Sequence, residues 1–315
     1  MYSEYIRPFP RVIRIEPAGA CNLACSHCPT GTIKMPRGIM NSETFAVIMD
    51  SMKKNINSVK VVVLYHGGEP LLNKQFTQMV KSVKSLGVPF VKTVSNGMLL
   101  NQTVIDNIID SHLDAIEFSL DGESADINNL VRKNSDYNKV VANIKTLINR
   151  KIERNSETPQ VFVSSTQFFK NPADLNDDIP PTPPHLLSEF SGNKYASSVS
   201  FKCTWAMRWP HMEVDREIYD IYYDSRDQEN RNYCDLVDHT MTIRWNGDVV
   251  ACCYDLTSKE VLGNVNQADL ETIWNNPKYL SLRHSIDTMQ FIPLCNNCNV
   301  VKPRVYLTLK NSAIS

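Results

Sequence analysis

Short apolar runs rich in β-branched residues alternate along the first two thirds of the chain with longer segments whose apolar residues recur at helical spacing. The runs predict buried parallel strands, and the intervening segments predict amphipathic helices. Strands are predicted at 12–16, 59–70, 90–97, 115–122 and 161–168, with a sixth near 198–203. Helices are predicted at 41–55, 73–86, 102–112 and 137–151. This alternation predicts an α/β fold with a parallel sheet.

Polar residues stand where these helices should begin. Ser42, Asn73, Asn101 and either Ser135 or Asp136 are the expected N-caps, because their side chains can accept from free backbone N–H groups. Several predicted strands end in glycine-rich or polar strings. In parallel barrels the carboxyl ends of the strands carry the active site, so we expect the functional residues at those ends.

The repeat breaks after the fifth strand. Residues 170–185 contain five prolines and several Asp and Asn residues, which predicts a long loop. In the last third, polar and apolar residues alternate around Asn246 and Gly247, the pattern of a β-hairpin. Asp269 is placed to cap a following helix.

Charge and composition narrow the partners. The chain has 315 residues, and 33 Lys and Arg against 34 Asp and Glu leave a net charge of -1. This balance predicts no nucleic-acid or membrane partner. No apolar run approaches about 18 residues, and the first residues lack the pattern of a signal peptide. Nine cysteines then favour metal binding or catalysis over disulfides. We therefore expect a cytoplasmic protein.

Three cysteines are clustered directly after the first predicted strand. Cys21, Cys25 and Cys28 are spaced so that one tight loop can offer three thiolates to one metal centre. Iron–sulfur clusters usually take four cysteine ligands, so three would leave one iron open to another molecule. The alternatives are a zinc site, which usually closes with four ligands, and three unrelated buried thiols.

The C-x3-C-x2-C spacing, with His27 in the aromatic slot before the last cysteine, resembles the signature of the radical S-adenosylmethionine (SAM) superfamily. His66-Gly67-Gly68-Glu69-Pro70 is similar to the GGEP motif of that family, whose backbone and Glu hold the methionine amino group. Polar residues at the next two strand ends resemble the family's SAM contacts, and Arg132 resembles the arginine that pairs with the methionine carboxylate. The residues expected to bind SAM are thus His27, Gly67, Gly68, Glu69, Ser95, Asn96, Ser119, Asp121 and Arg132.

The resemblance implies a fold and a chemistry. The fold is a partial (β/α)6 TIM-like barrel over residues 1–200. The open iron of a reduced 4Fe-4S cluster chelates SAM, and one electron cleaves a C–S bond to give a 5′-deoxyadenosyl radical. That radical abstracts hydrogen from an unactivated C–H bond. The electron is expected from an external donor such as flavodoxin or ferredoxin.

A second cysteine set lies in the last third of the chain. Cys234 and Cys252 flank Gly247 with intervals of twelve and four residues, and Cys295 and Cys298 form a C-x2-C pair. This pattern resembles the twitch domain, a shortened relative of the SPASM domain. It implies a small α+β domain over 201–315, a hairpin plus a helix, holding an auxiliary 4Fe-4S cluster. A four-cysteine zinc site is the alternative.

Cys203 and Cys253 are left over as candidate catalytic thiols. Cys253 follows a cluster ligand, and adjacent side chains on a strand face opposite ways, so it could face the substrate and return hydrogen to a carbon radical. Some epimerases of the family use a cysteine in this way. Cys203 is the weaker candidate, and for Cys253 the alternative is a small buried apolar residue.

Analogy within the twitch group favours a polar small-molecule substrate of carbohydrate or aminocyclitol type, with alcohol oxidation or epimerisation as the outcome. A GTP cyclase is disfavoured because the C-terminal arginine–glycine run is missing. Modification of a ribosomally made peptide by an epimerase or crosslinking maturase is the second interpretation, although only about ten residues precede the first strand. A non-catalytic electron carrier or a zinc-binding protein is the alternative from another class.

Overall fold

The structure is a computed structural model that describes residues 3–169, 175 and 178–313. The strands in these residues are β1 (Val12–Ile15), β2 (Ala24–Cys25), β3 (Val61–Leu64), β4 (Phe90–Ser95), β5 (Ala115–Ser119), β6 (Arg132–Lys133), β7 (Gln160–Gln167), β8 (Val199–Trp205), β9 (Tyr219–Tyr223), β10 (Thr240–Ile243), β11 (Asp248–Val250), β12 (Val261–Asn264) and β13 (Val305–Leu309). The α-helices are α1 (Pro29–Thr32), α2 (Ser42–Lys54), α3 (Phe76–Ser85), α4 (Gln102–Asp110), α5 (Ala125–Val131), α6 (Tyr137–Glu153), α7 (Pro184–Glu189), α8 (Asn193–Ala196), α9 (Asp235–His239), α10 (Leu270–Trp274) and α11 (Pro277–Asp287).

Seven strands form the parallel part of a nine-stranded sheet: the six strands of the βα repeat and β10. Its order is β12-β11-β10-β1-β3-β4-β5-β7-β8, and every pair from β1 to β8 is parallel. Helices α2, α3, α4 and α6 lie in the connections from β1 to β7, and the short helices α7 and α8 lie between β7 and β8. The fold class expected from the sequence, a partial (β/α)6 barrel of the TIM-like kind, is confirmed.

The helices bury one face each against this sheet. Ile48, Val80, Ile108 and Ile144 lie on four different helices and are fully buried in one shared core. Apolar residues at helical spacing produce this result because they place one stripe of each helix on the sheet. The apolar periodicity therefore determines which face of each helix packs on the sheet. The helices cover the sides of the strands and leave the carboxyl ends of the strands uncovered.

Two of the expected helix caps are wrong. The cap of α2 is Asn41, whose side chain accepts from the Thr44 N–H, and not Ser42. Asn73 lies before α3, and its Oδ1 accepts from the Gln75 N–H in a local turn. Such polar residues bond to backbone in several local conformations, so sequence places caps only to within a residue or two.

The other caps agree with prediction. Asn101, Asp136 and Asp269 each accept from the N–H of the third residue ahead, at Val104, Lys139 and Thr272.

The hairpin predicted at Asn246-Gly247 is confirmed, but it does not stand apart from the barrel. Strand β10 pairs antiparallel with β11 and parallel with β1, so the hairpin extends the barrel sheet at its open edge. Gly247 has a φ of 86°, in the left-handed region that glycine adopts without strain. Cys252 and Cys253 follow the end of β11 in a turn, so the alternation argument for a strand does not apply to them.

The division of the chain at residue 200 stays a prediction. Strand β8 crosses that position and pairs with β7 along its whole length. We propose a boundary after Trp205, since the backbone up to that residue belongs to the barrel sheet. The predicted loop at 170–185 falls partly outside the described residues, and residues 178–183 have no helix or strand. The prediction is wrong for residues 184–185, where α7 begins at Pro184, because proline is tolerated in the first turn of a helix. None of the helices in the described residues is both long and apolar enough to span a membrane.

Candidate active site

One cavity opens at the carboxyl ends of the parallel strands. Its empty volume is about 1120 Å³, including the part that opens to solvent. Every residue expected from the sequence to bind SAM lines it, together with the three clustered cysteines: Cys21, Cys25, His27, Cys28, Gly67, Gly68, Glu69, Ser95, Asn96, Ser119, Asp121 and Arg132. The structure therefore brings these residues together, although their roles stay predictions.

The cysteine loop is held by a two-stranded sheet that the sequence analysis missed. Strand β2 pairs antiparallel with β6, and this pairing places Arg132 directly opposite Cys25. The Ser26 N–H also donates to the Val131 carbonyl at 2.9 Å. Strands of two residues carry no periodic signal, so only the folded chain shows why an arginine 107 positions away stands beside the cysteines.

Polar groups approach the first cysteine. The Leu23 N–H donates to Cys21 Sγ at 3.4 Å, and Asn96 Nδ2 lies 3.8 Å from the same sulfur. Hydrogen bonds of this kind to cluster sulfurs are one of the levers that set the potential of an iron–sulfur cluster. From the sequence, Asn96 was expected only to contact SAM. In the structure its side chain also lies beside Cys21, a predicted cluster ligand.

Glu69 is fixed at the cavity by three hydrogen bonds. Its Oε1 accepts from Ser95 Oγ at 2.9 Å and from the Leu71 N–H at 3.1 Å, and its Oε2 accepts from the Asn96 N–H at 2.8 Å. Burial raises the pKa of Glu69, and these three donors only partly offset that effect. A buried carboxylate with fixed orientation is suited to pair with an ammonium group.

The neighbouring glycine is required by packing. A Cβ added to Gly68 would lie 2.2 Å from the Ala18 oxygen and 2.3 Å from the Ala20 oxygen. No side chain fits at such distances, so the loop before Glu69 can pack this closely against the cysteine loop only with glycine there.

Asp121, Arg132 and His27 form a buried charge cluster. Arg132 Nη1 donates to Asp121 Oδ2 at 2.7 Å, and His27 Nε2 lies 3.1 Å from the same oxygen. Burial alone would raise the pKa of Asp121, but the Arg132 guanidinium and the His27 hydrogen bond outweigh it and hold that pKa well below its usual range. The Arg132 guanidinium and the His27 ring therefore favour the ionised form of Asp121.

The donor set fits a SAM-binding cluster. Arg132 Nε and His27 Nδ1 are buried without a hydrogen-bond partner in the described chain, and both residues line the cavity. Burial raises the pKa of the Cys25 thiol to about 12, and a metal ion deprotonates a coordinating thiol outright. An unpartnered guanidinium nitrogen fits a ligand carboxylate, and three thiols fit a cluster with one open iron.

The outer part of the cavity is lined by residues from β8 onward. The lining residues here are Trp205, Arg208 and Trp209, together with Tyr254, which lies in the turn after β11. Ser164, Thr166 and Thr204 also line the cavity and were not identified from the sequence. Ser164 and Thr166 carry a signal in their spacing of two along β7, where small polar residues replace apolar ones on one face at the carboxyl end.

The four C-terminal cysteines are buried in the main core. Cys234 directly precedes α9, Cys252 follows β11, and Cys295 and Cys298 bracket a short turn. Burial is the largest cause that raises the pKa values of Cys252 and Cys295, and the charges of Cys234 and Cys298 add to it. In the described residues no three His, Cys, Asp or Glu side chains are arranged to hold a single metal ion.

Neither of the remaining thiols lines the cavity. Cys203 lies on β8 between Thr204 and Lys202, and its thiol approaches Thr182 Oγ1 at 3.7 Å. Cys253 is partly buried beside Cys252, and its carbonyl oxygen lies 3.2 Å from His66 Nε2. Among the residues of that turn, Tyr254 is the one that lines the cavity. The roles proposed for both cysteines stay predictions.

A buried ion pair that the sequence analysis missed joins the barrel to the hairpin. Arg244 Nε donates to Glu16 Oε2 at 2.8 Å, and the Gly67 N–H donates to Glu16 Oε1 at 2.9 Å. Both charged side chains are essentially inaccessible to solvent. Glu16 follows β1 and Arg244 lies in the hairpin, so this pair fixes the hairpin relative to β1 and to the glycine loop.

Two family models match the chain. The Radical SAM superfamily model covers residues 15–162, and an iron–sulfur cluster-binding domain model, SPASM, covers residues 234–299. The first interval contains the cysteine loop and the GGEP motif. The second contains the four C-terminal cysteines.

Known proteins align with nearly the whole chain. The tungsten-containing aldehyde ferredoxin oxidoreductase cofactor-modifying protein of Pyrococcus furiosus is 23% identical over 92% of this chain and 87% of its own. The crystal structure of BtrN with AdoMet and 2-DOIA has a TM-score of 0.62 at 14% identity, and covers 93% of this chain and 94% of that chain. The structure of Streptococcus suis SuiB bound to precursor peptide SuiA has a TM-score of 0.52 at 17% identity, and covers 87% of this chain and 67% of that chain.

These matches establish the superfamily and its cofactors, SAM and 4Fe-4S clusters. They agree with the motifs and with the cavity in which those motifs meet. The chain belongs to the radical SAM superfamily and carries a C-terminal SPASM iron–sulfur cluster-binding domain.

Proposed function

We propose that this radical SAM enzyme acts on a polar small molecule of carbohydrate or aminocyclitol type and either oxidises an alcohol or epimerises a carbon. The observation that carries the proposal is the cavity itself, in which the expected SAM contacts and an aromatic outer wall line one continuous space. The expected cofactor contacts and the aromatic wall are separate parts of that space, which suits SAM together with a small substrate.

The residues of the cavity would divide the work of holding the cofactor. Cys21, Cys25 and Cys28 would ligate the SAM-binding cluster. Glu69 would accept hydrogen bonds from the methionine ammonium group, and Arg132 would donate hydrogen bonds to the methionine carboxylate. When bound, the cofactor supplies a 5′-deoxyadenosyl radical, which removes a hydrogen atom from an unactivated C–H bond. The ionised Asp121 keeps the Arg132 guanidinium in place, because the pair is buried and hydrogen-bonded.

Exclusion of water is the second task of the cavity, since a carbon radical must be kept from side reactions. Trp205, Trp209 and Tyr254 form much of the outer wall, and the Trp209 and Tyr254 rings are 5.1 Å apart. Tyr254 lies within the SPASM interval, so this aromatic pair joins that domain to the part of the wall that follows β8.

We infer that Cys234, Cys252, Cys295 and Cys298 hold one auxiliary 4Fe-4S cluster with no open iron. Such a cluster would supply an electron acceptor close to the substrate, as alcohol oxidation requires. Epimerisation would need a hydrogen donor instead, and Cys253 remains our candidate, with Cys203 the weaker one. An external flavodoxin or ferredoxin would reduce the SAM-binding cluster. Free cysteines and iron–sulfur clusters both suit a cytoplasmic location.

Peptide modification is the second candidate, and the likeness to SuiB with its precursor peptide favours it. The Pyrococcus furiosus relative is described as a cofactor-modifying protein, which favours a small-molecule substrate. We therefore keep the small molecule as the first candidate.

The test is reductive cleavage of SAM. Protein reconstituted anaerobically with iron and sulfide, then reduced with dithionite, should form 5′-deoxyadenosine from SAM. A variant with Cys21, Cys25 and Cys28 all replaced by Ala should form none, while its SPASM cysteines remain intact. Absence of 5′-deoxyadenosine from the fully reconstituted wild type would reject the proposal in favour of an electron carrier or a zinc protein.

A further inference from the structure

The charges that line the cavity are unevenly distributed. Near the cysteine loop, Glu69 accepts three hydrogen bonds and Asp121 pairs with Arg132. The outer wall, in contrast, carries one formally charged side chain among the described residues, that of Arg208. The charge of the outer wall therefore favours binding of an anionic group.

Arg208 is held in place without being neutralised. Its backbone N–H donates to the Val305 carbonyl at 3.0 Å, and its Nη2 donates to Asn297 Oδ1 at 3.0 Å. Asn297 lies between Cys295 and Cys298, so the loop of the auxiliary cysteines fixes the guanidinium. No carboxylate of the described chain pairs with Arg208. Its remaining N–H groups can therefore form the two parallel hydrogen bonds that a carboxylate or phosphate accepts.

The surfaces beside Arg208 are flat and aromatic. Trp209 packs against Tyr254 with 5.1 Å between ring centroids, and both line the cavity together with Trp205. Aromatic faces bind the apolar face of a ring, and their polar edges stay available for hydrogen bonds. The outer wall thus offers a ring-binding surface next to one unpaired cation.

We propose that Arg208 makes this enzyme specific for a cyclic substrate that carries a phosphate or carboxylate group. The inference rests on the proposed function and narrows it, because an aminocyclitol bearing only a cationic amine would be repelled by the same guanidinium. Arg208 binds the anionic group, and Trp209 with Tyr254 covers one face of the ring. The ring is thereby oriented toward the SAM-binding half of the cavity.

The test compares three sugars as probes on reconstituted holoenzyme loaded with SAM, by anaerobic calorimetry. Glucose 6-phosphate and glucuronate carry the two anionic groups, and glucose is the neutral comparison. At least one anion should bind about tenfold or more tightly than glucose, as expected when hydrogen bonds to a charged group are added. The two anionic arms show whether phosphate or carboxylate is preferred.

Arg208→Gln should abolish that preference, and Arg208→Lys should keep only part of it, because an ammonium lacks the planar fork. Arg216→Gln is the matched control, since Arg216 is exposed in the same segment and does not line the cavity; it should bind the probes as wild type does. Iron content and circular dichroism establish that each variant has folded.

The proposal is overturned if wild type binds neither anion better than glucose, or if Arg208→Gln keeps the preference. Formation of 5′-deoxyadenosine in the same wild-type preparation separates this failure from failure of the proposed function. An enzyme that cleaves SAM without preferring anions contradicts only the role of Arg208. An enzyme that prefers anions without cleaving SAM contradicts only the proposed function.

Discussion

Glu69→Gln removes one negative charge while keeping the shape of the side chain. Glu69 Oε1 accepts from two donors and Oε2 from one. The amide nitrogen of Gln should therefore take the Oε2 position, where it loses only the hydrogen bond from the Asn96 N–H. The Oε1 contacts to Ser95 and Leu71 survive, so we expect the loop to keep its conformation.

The effect on SAM binding follows from the lost charge. Hydrogen bonds to charged groups contribute about 1.5–3 kcal/mol, so removing the carboxylate partner of the SAM ammonium should raise the Kd for SAM by about 10–150-fold. Binding is measured by anaerobic calorimetry on reconstituted protein. Glu43→Gln, on the exposed first turn of α2, is the control and should bind SAM as wild type does.

The experiment measures both the iron content and the Kd for SAM of each protein. Iron content of Glu69→Gln must equal that of wild type, which shows that the loss lies in the SAM contact and not in the cluster. A Kd for SAM within twofold of wild type, at equal iron content, would refute the assignment of Glu69 as the ammonium partner.

Three further predictions concern stability, the catalytic thiol and pH. Arg244→Gln leaves Glu16 buried without its guanidinium partner, so it should lower the free energy of unfolding by about 3–5 kcal/mol. The control is Arg154→Gln, which removes a more exposed ion pair and should change the free energy of unfolding little. Thermal unfolding followed by circular dichroism measures both variants. Cys253→Ala should abolish product in an epimerase while SAM is still consumed, and should change a dehydrogenase little; unchanged epimer formation would eliminate Cys253 as hydrogen donor. Burial raises the pKa of Glu69, so this carboxyl group should take up a proton at a higher pH than an ordinary glutamate does; SAM affinity of wild type should therefore fall as the pH is lowered, whereas calorimetry on Glu69→Gln should show a weaker dependence.

Elements with strong periodicity were predicted well from the sequence. The apolar runs and helical stripes correspond to β1, β3, β4, β5, β7 and β8 and to the helices between them, because burial of one stripe per helix requires that pattern. The hairpin was found because Asn246 and Gly247 suit its tight turn. Motif spacing identified the residues near the cysteine loop, since short loops keep ligands that are close in sequence close in space.

Contacts between distant parts of the chain were not predicted. The Arg244–Glu16 pair spans 228 positions, and the parallel pairing of β10 with β1 joins elements that are equally far apart. The short pairing of β2 with β6 has too few residues to form a pattern. Such contacts depend on the assembled sheet, and neither residue type nor spacing indicates them.

The central claim is that one open cluster binds SAM while a separate, fully ligated cluster occupies the SPASM domain. The direct test is the number of irons per chain after anaerobic reconstitution, measured for wild type and for the variant with Cys21, Cys25 and Cys28 replaced by Ala. With four irons in each cluster, wild type should contain about eight and the variant about four. About four irons in wild type, or zinc in place of iron at the C-terminal cysteines, would contradict the account.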